Sequence, residues 1–478
     1  MTNRRILKSI VTASVVAGAL SLPGVAGAAI IRVNSLDGGS VAGACSITDA
    51  VAAANGDVAV NGCSAGEDSD VIIFDVSGTV PLTATLFVSS NITIDARSQG
   101  ITVSGAGMVP VFGVGSSSTL ELWQVTVASG AGFEAGGLEN FGTAIIRWST
   151  FAFNSGLFNG AINNEGTLLV IESTLYGNTA SLFPYAGAIR NAGTAQIVNS
   201  TISGNITFGG TGGAQIGGVG NTATGNLTII NSTFSGNGGQ GGALGNAGTL
   251  VMANTLLAND GGVECSNTGS ITAAGVNFVA DGSCALPGAL SGDAQLAPLA
   301  DNGAGAITHA LLFGSPAIDA ADNDICAGML VNNRDQRGLP RPMDGNGDGH
   351  EVCDIGSFER EPPIPFSGFL APVDSLPVVN AVKAGRAVPV KFSLDGDRGL
   401  NIFASGSPAS QQVTCDAQSP VSDVEQTMTA GGSSLSYDAA SDTYTYVWKT
   451  SAAWAGTCRQ LVVRLIDGSS HIASFKFR

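Results

Sequence analysis

The sequence predicts an all-β chain, a single-stranded right-handed parallel β-helix (a solenoid) followed by a small antiparallel β-sandwich. Three observations predict it. The phrase Gly136-Gly137-Leu138-Glu139-Asn140 returns, as Gly-x-x-x-Asn, at Gly160, Gly187, Gly217 and Gly242. A second phrase, Thr150-Phe151-x-x-Asn154, keeps step with it from Thr174, Thr201, Thr233 and Thr255, at intervals of 22 to 32 residues. Repeats of that length mark coils that bury their apolar faces by stacking. Between the phrases lie apolar runs of strand length, at residues 168–171, 195–198, 227–230 and 250–253, bounded by Gly and Asn.

Gly and Asn accept left-handed backbone and so belong at the corners of a coil. An Asn at the same corner of every coil can bond to the Asn above and below, about 4.8 Å away. Two ladders are therefore expected. One comprises Asn140, Asn164, Asn191, Asn221 and Asn246, and the other Asn154, Asn178, Asn205, Asn237 and Asn259. Coils of this kind resemble the pectin-lyase-like superfamily of right-handed β-helix repeats.

Composition agrees. With 478 residues, the chain is long enough for more than one domain, and 67 glycines with 12% charged residues suit tight corners and small polar walls. At 44% hydrophobic, disorder is excluded. A net charge of −17 disfavours nucleic acid or an anionic membrane as partner.

In chain order, residues 1–28 read as a secretory leader, with basic Arg4, Arg5 and Lys8, an apolar stretch from Ile10 to Leu20, and Ala26-Gly27-Ala28 as the cleavage site. A retained membrane anchor is the alternative. Residues 29–75 are expected to cap the β-helix, with Ser46 as N-cap of a helix reaching Asn55. Its Cys45-Ser-Ile-Thr-Asp-Ala run resembles the CSLREA-type segment of secreted β-helix proteins, although the name motif itself is altered. Residues 76–284 form the coils and 285–360 a closing block. That block's Asp335-Gln336-Arg337-Gly338 and Cys353-Asp354-Ile355-Gly356-Ser357-Phe358-Glu359 resemble the choice-of-anchor Q block of secreted bacterial β-helices, which implies a surface or exported protein but no chemistry. Residues 361–377 read as a Pro-rich linker. Residues 378–478 read as the sandwich, whose Pro389-Val390-Lys391-Phe392 and Tyr444-x-Tyr446-x-Trp448 resemble the PxKF domain of secreted bacterial proteins.

The eight cysteines fall into neighbours, Cys45 with Cys63, Cys265 with Cys284, Cys326 with Cys353 and Cys415 with Cys458. Sequential disulfides are expected because each pair lies within one structural unit; zinc binding is disfavoured because no C-x-x-C occurs.

Chemistry is sparse on the wall. From Gly136 to Asn259 the acids are Glu139, Glu165 and Glu172 and the bases Arg147 and Arg190, with no lysine between Lys8 and Lys383. Glu139, Glu165 and Arg190 occupy similar corners of successive coils, so they are the candidate catalytic set for a lyase or hydrolase; solvated corner residues are the plainer reading. Asp344, Asn346 and Asp348 repeat the first half of an EF-hand loop and are candidate ligands of a structural Ca²⁺. Ile355 stands where the closing Glu would be, leaving Glu351 or Asp354 as substitutes, and a solvated Asp/Gly turn is the alternative. Asn-x-Ser/Thr triplets at Asn91, Asn199, Asn205, Asn226 and Asn231 read better as corner residues than as glycan acceptors.

These features predict a secreted or cell-surface monomer that is non-catalytic and presents a repetitive polar wall to a polysaccharide or cell-surface glycan. The alternative is an extracellular polysaccharide lyase or glycoside hydrolase, carried by superfamily resemblance alone.

Overall fold

The computed structural model describes residues 28–97, 99–182, 185–209, 215–416, 418–429 and 435–478. The expected leader therefore lies outside the described residues, apart from Ala28. Two compact units result, Met1–Glu361 and Pro362–Arg478.

The first unit is built from coils whose strands stack into three long parallel sheets and, among the described residues, a short fourth of four two-residue strands, from Ala131–Gly132 to Ile206–Thr207. Among the described residues, sheet A has ten strands, from Ile30–Val33 to Ser270–Ala274. Sheet B has nine, from Gly78–Pro81 to Phe278–Val279, and sheet C eight, from Leu86–Val88 to Cys265–Asn267. Each coil runs C, A, B and then returns through a loop of variable length, which is why the repeat wanders while the strands stay in register. In sheet A the alternation sends Ala144 and Ile146 inward, with Leu120 and Leu122 on one side and Leu168 and Val170 on the other. Each such fully buried Leu, Ile or Val contributes about 1.5–3 kcal/mol, so the stack of like residues is the main source of stability.

Three polar ladders line the corners. At the C-to-A corner, Asn140 donates to Asn164 (2.7 Å), Asn164 to Asn191 (2.7 Å), Asn191 to Asn221 (2.8 Å) and Asn221 to Asn246 (2.8 Å). Asn267 adds a rung that the repeat phrases did not reveal. After sheet B, Asn154, Asn178, Asn205 and Asn237 bond likewise. The last rung corrects the expectation: Asn237 donates to Asp260, not Asn259. Register explains it, because Leu256 rather than Thr255 pairs with Thr233, shifting the coil by one residue and leaving Asn259 in the left-handed corner (φ 65°). The third ladder consists of Ser149, Ser173, Ser200 and Ser232, whose hydroxyls accept backbone N–H from the preceding coil.

Helix α1 (Ile47–Gly56) covers the first coil, with Ile47, Ala50, Val51, Ala53 and Ala54 buried. Ser46 caps it by accepting the Asp49 N–H. The Cys45–Cys63 disulfide holds the segment, and the other three bridges, Cys265–Cys284, Cys326–Cys353 and Cys415–Cys458, are also sequential neighbours. At the far end Leu286 packs against the core of the last coil. The chain then turns back along the flank. Gln336 donates to Thr174 and accepts from Thr201, Ser357 N–H donates to the Thr233 hydroxyl, and Ser203 bonds to His309. Gly356 (φ 103°) is required there, since a Cβ would lie 2.5 Å from the Thr233 hydroxyl oxygen.

The second unit is a sandwich of two sheets, each of five strands among the described residues. Val388, Val390 and Phe392, paired in one sheet with Trp448, Tyr446 and Tyr444, share a buried core with Leu461, Val463, Phe475 and Phe477 of the other. Part of the Pro-rich stretch belongs to this core: Phe369–Leu370 pairs with the strand Ala387–Phe392, and Val373 is buried. One pairing departs from an antiparallel sandwich, as Val379–Val382 runs parallel to the last strand, Ser470–Phe477.

Candidate functional site

The outer face of sheet C carries the residues singled out from sequence. Glu139, Asn163 and Arg190 occupy the same register on successive strands, so Glu139 and Arg190 stand two strands, about 9–10 Å, apart. Arg190 donates to Asn163 (2.8 Å), pairs with Glu165 (3.4 Å) and lies over the Tyr185 ring. The structure thus joins Glu165 to Arg190 but gives Glu139 to neither. Burial, with the charge of Glu134 beside it, pushes the Glu139 carboxyl up.

At the proposed calcium loop the oxygens serve the loop itself. Asp344 accepts from the amides of Gly347, Asp348 and Gly349, Asn346 from Asp348, and Asp348 from His350. Among the described residues no group of three His, Cys, Asp or Glu side chains converges as a metal cage.

A different surface stands out on the flank. In six successive coils two corners are left-handed, and each forms a row. The row between sheets A and B is Gln124, Trp148, Glu172, Asn199, Asn231 and Asn254, at φ 45–53°. Its three asparagines lie under the returning block, donating to Arg334 O, the Cys326 sulfur and Asp322 O. Asn199 and Asn231, both within glycosylation triplets, are therefore buried structural residues. The row after sheet B is Ser129, Phe153, Gly177, Gly204, Gly236 and Asn259. One coil alone places an aromatic residue at both corners, Trp148 (φ 47°) and Phe153 (φ 56°), on either side of the strand Thr150–Ala152. For bulky side chains this backbone is strained, yet the two residues remain 40% and 60% exposed.

Each ring has an aromatic neighbour. Trp148 lies 5.1 Å from Trp123, and Phe153 lies 5.1 Å from Tyr176, edge-on. Arg97 sits over Trp123 at 4.6 Å. The local charges are paired within the surface, Arg97 with Asp95 (2.6 Å) and Arg147 with Glu121 (2.9 Å).

Beside Trp148 the platform ends in a cleft of about 320 Å³. Arg97, Gln124, Trp148 and Glu172 line it from the β-helix, and residues 304–306, Gln336 and Arg337 from the returning block. Burial pushes the Glu172 carboxyl up to about 7, against the opposing pull of Arg147. Sequence reading named Glu172 but missed Trp148 and Phe153. The available signal was their position: Trp148 precedes Ser149 where other coils have Glu, Asn or Gln, and Phe153 precedes ladder Asn154 where others have Gly. The larger hollow of the second unit, about 530 Å³, is lined among the described residues by Phe403, Met428, Leu435 and Tyr446, with no carboxylate, lysine or histidine.

The stacked parallel sheets and their corners define the first unit as a parallel β-helix. No family model and no curated protein matches the chain. Among solved structures it is similar to Jun a 1, the major allergen from cedar pollen, at 12% identity and a TM-score of 0.28, over 49% of this chain and 67% of that one.

Proposed function

We propose that this is a secreted or cell-surface protein that binds a polysaccharide or cell-surface glycan without chemically altering it. The platform of Trp123, Trp148, Phe153 and Tyr176 on the flank is its contact surface. The observation that carries this reading is the pair Trp148 and Phe153, held exposed in left-handed corners where small or polar residues serve the other coils. Backbone strain with a ring kept in water fits a surface shaped for a ligand better than one shaped for stability. Aromatic faces are large, rigid and amphipathic, suited to the C–H faces of sugar rings. The four disulfides support an oxidising destination. Retention of the mature chain on a panel of immobilised neutral and acidic polysaccharides tests it. Trp148→Ala with Phe153→Ala should reduce retention at least tenfold, and equal retention of that variant would overturn the assignment.

A lyase or hydrolase is the second reading, favoured by the half-buried Glu139, raised by burial and Glu134, in the same row as Arg190. Release of reducing ends or unsaturated sugars that disappears in Glu139→Gln would establish it.

A further inference from the structure

We infer that the cleft at Glu172 is a terminal subsite, which takes the end of an uncharged glycan chain rather than a stretch of its middle. The inference rests on the platform reading above and adds where on the polymer the protein binds.

The argument starts from what covers the flank. Along sheet B, Thr126 and Thr150 belong to coils whose flank is open, with Trp123 at the end of its sheet A strand and Trp148 at the corner. From the next coil onward the returning block closes the surface. Thr174 donates to Ile307 O (2.7 Å), Gln336 donates to Thr174 (2.8 Å), and Ser357 bonds to Thr201 and Thr233. A chain lying across Trp123 and Trp148 along the solenoid axis therefore meets a wall one coil later. Glu172 stands at that wall, next to Trp148 in the same left-handed row. Residues 304–306 and Arg337 form its far side. The space of about 320 Å³ is at the small end of ligand sites. It suits about one sugar ring.

Charge selects the class. Three cations at the site are paired, Arg97 with Asp95, Arg147 with Glu121 and Arg337 with Asp335, and Arg334, whose charge also reaches Glu172, donates to Gly338 O (2.7 Å). No free cation is left among the three pairs to receive a uronate or sulfate. A chain of net charge −17 also repels polyanions at a distance. Gln124 and Glu172 offer the donors and acceptors that sugar hydroxyls require.

The test uses the oxidised mature chain and neutral polymers of glucose, xylose, mannose and galactose, with polygalacturonate as the acidic control. Each polymer is immobilised at equal mass, intact and after partial hydrolysis. If the cleft takes chain ends, binding capacity per mass rises with the number of ends, tenfold for a tenfold shorter mean chain. Ala306→Trp, which fills the cleft from the block side, should remove that rise without changing the melting temperature, and Glu172→Gln should weaken end binding at least fivefold. Retention with a capacity independent of chain length would overturn the terminal subsite and leave the platform standing. Preference for polygalacturonate would overturn the assigned class. No retention on any polymer, whole or digested, would overturn both.

Discussion

Replacing Asn205 by Ala separates a ladder residue from a corner residue that looks the same in sequence. The Asn205 side chain makes four bonds: it donates to Leu175 O (2.9 Å) and Asn237 (2.9 Å), and accepts from the backbone N–H (3.0 Å) and side chain (2.8 Å) of Asn178. All of these lie in the interior. Alanine strands two N–H donors of Asn178, and each buried unsatisfied group costs about 1–3 kcal/mol, which predicts a loss of about 2–6 kcal/mol. Asn259→Ala is the control, since Asn259 is outside the bonded ladder and exposed. There the only cost is left-handed backbone, about 1–2 kcal/mol. Equilibrium urea denaturation of the oxidised chain, followed by far-ultraviolet circular dichroism and tryptophan fluorescence, measures both. Losses that are equal, or a loss below about 1 kcal/mol for Asn205→Ala, would refute the ladder as a source of stability.

Three further outcomes are expected. Trp148→Gly removes left-handed strain along with the ring, so stability should hold within about 1 kcal/mol while glycan retention collapses; loss of both together would make Trp148 a packing residue. Glu172→Gln should stabilise the chain at pH 8 and change little at pH 4. The folded pKa of about 7 lies above the usual carboxyl value of 4.5, so the native state holds the proton more tightly and stability falls as pH rises between the two. The gain at pH 8 is about 3 kcal/mol, and a flat difference across pH would show that Glu172 ionises normally. At the loop of Asp344, Asn346 and Asp348, EGTA should leave the melting temperature unchanged because the oxygens already accept the loop's amides. A fall reversed by Ca²⁺ alone would establish a structural ion.

The chain's local chemistry was readable without coordinates wherever one residue type does one job on every coil. Gly-x-x-x-Asn located the strand and corner because only a small amide fits inside a corner and bonds to its copy one coil away. The paired cysteines and the Ser46 cap were readable because their partners are near in sequence. Asn259 was misplaced because the phrase Thr-Leu-x-x-Asn is preserved while strand pairing slides by one residue, and register is a property of two strands together. The candidate site was less legible for a related reason. Glu139 and Arg190 share a row, but whether Asn163 or Glu165 engages Arg190 depends on side chains from different coils.

Sequence by itself determined the repeat, the stacked parallel coils and the helix over the first of them. Each of these follows from short-range backbone preference and burial periodicity. Tertiary structure alone decided which flank stays open. The segment after Leu286 folds back over coils more than a hundred residues earlier, joining Gln336 to Thr174 and Ser357 to Thr233. It covers the asparagine corners and stops beside Trp148, so one coil's aromatic corners remain in water.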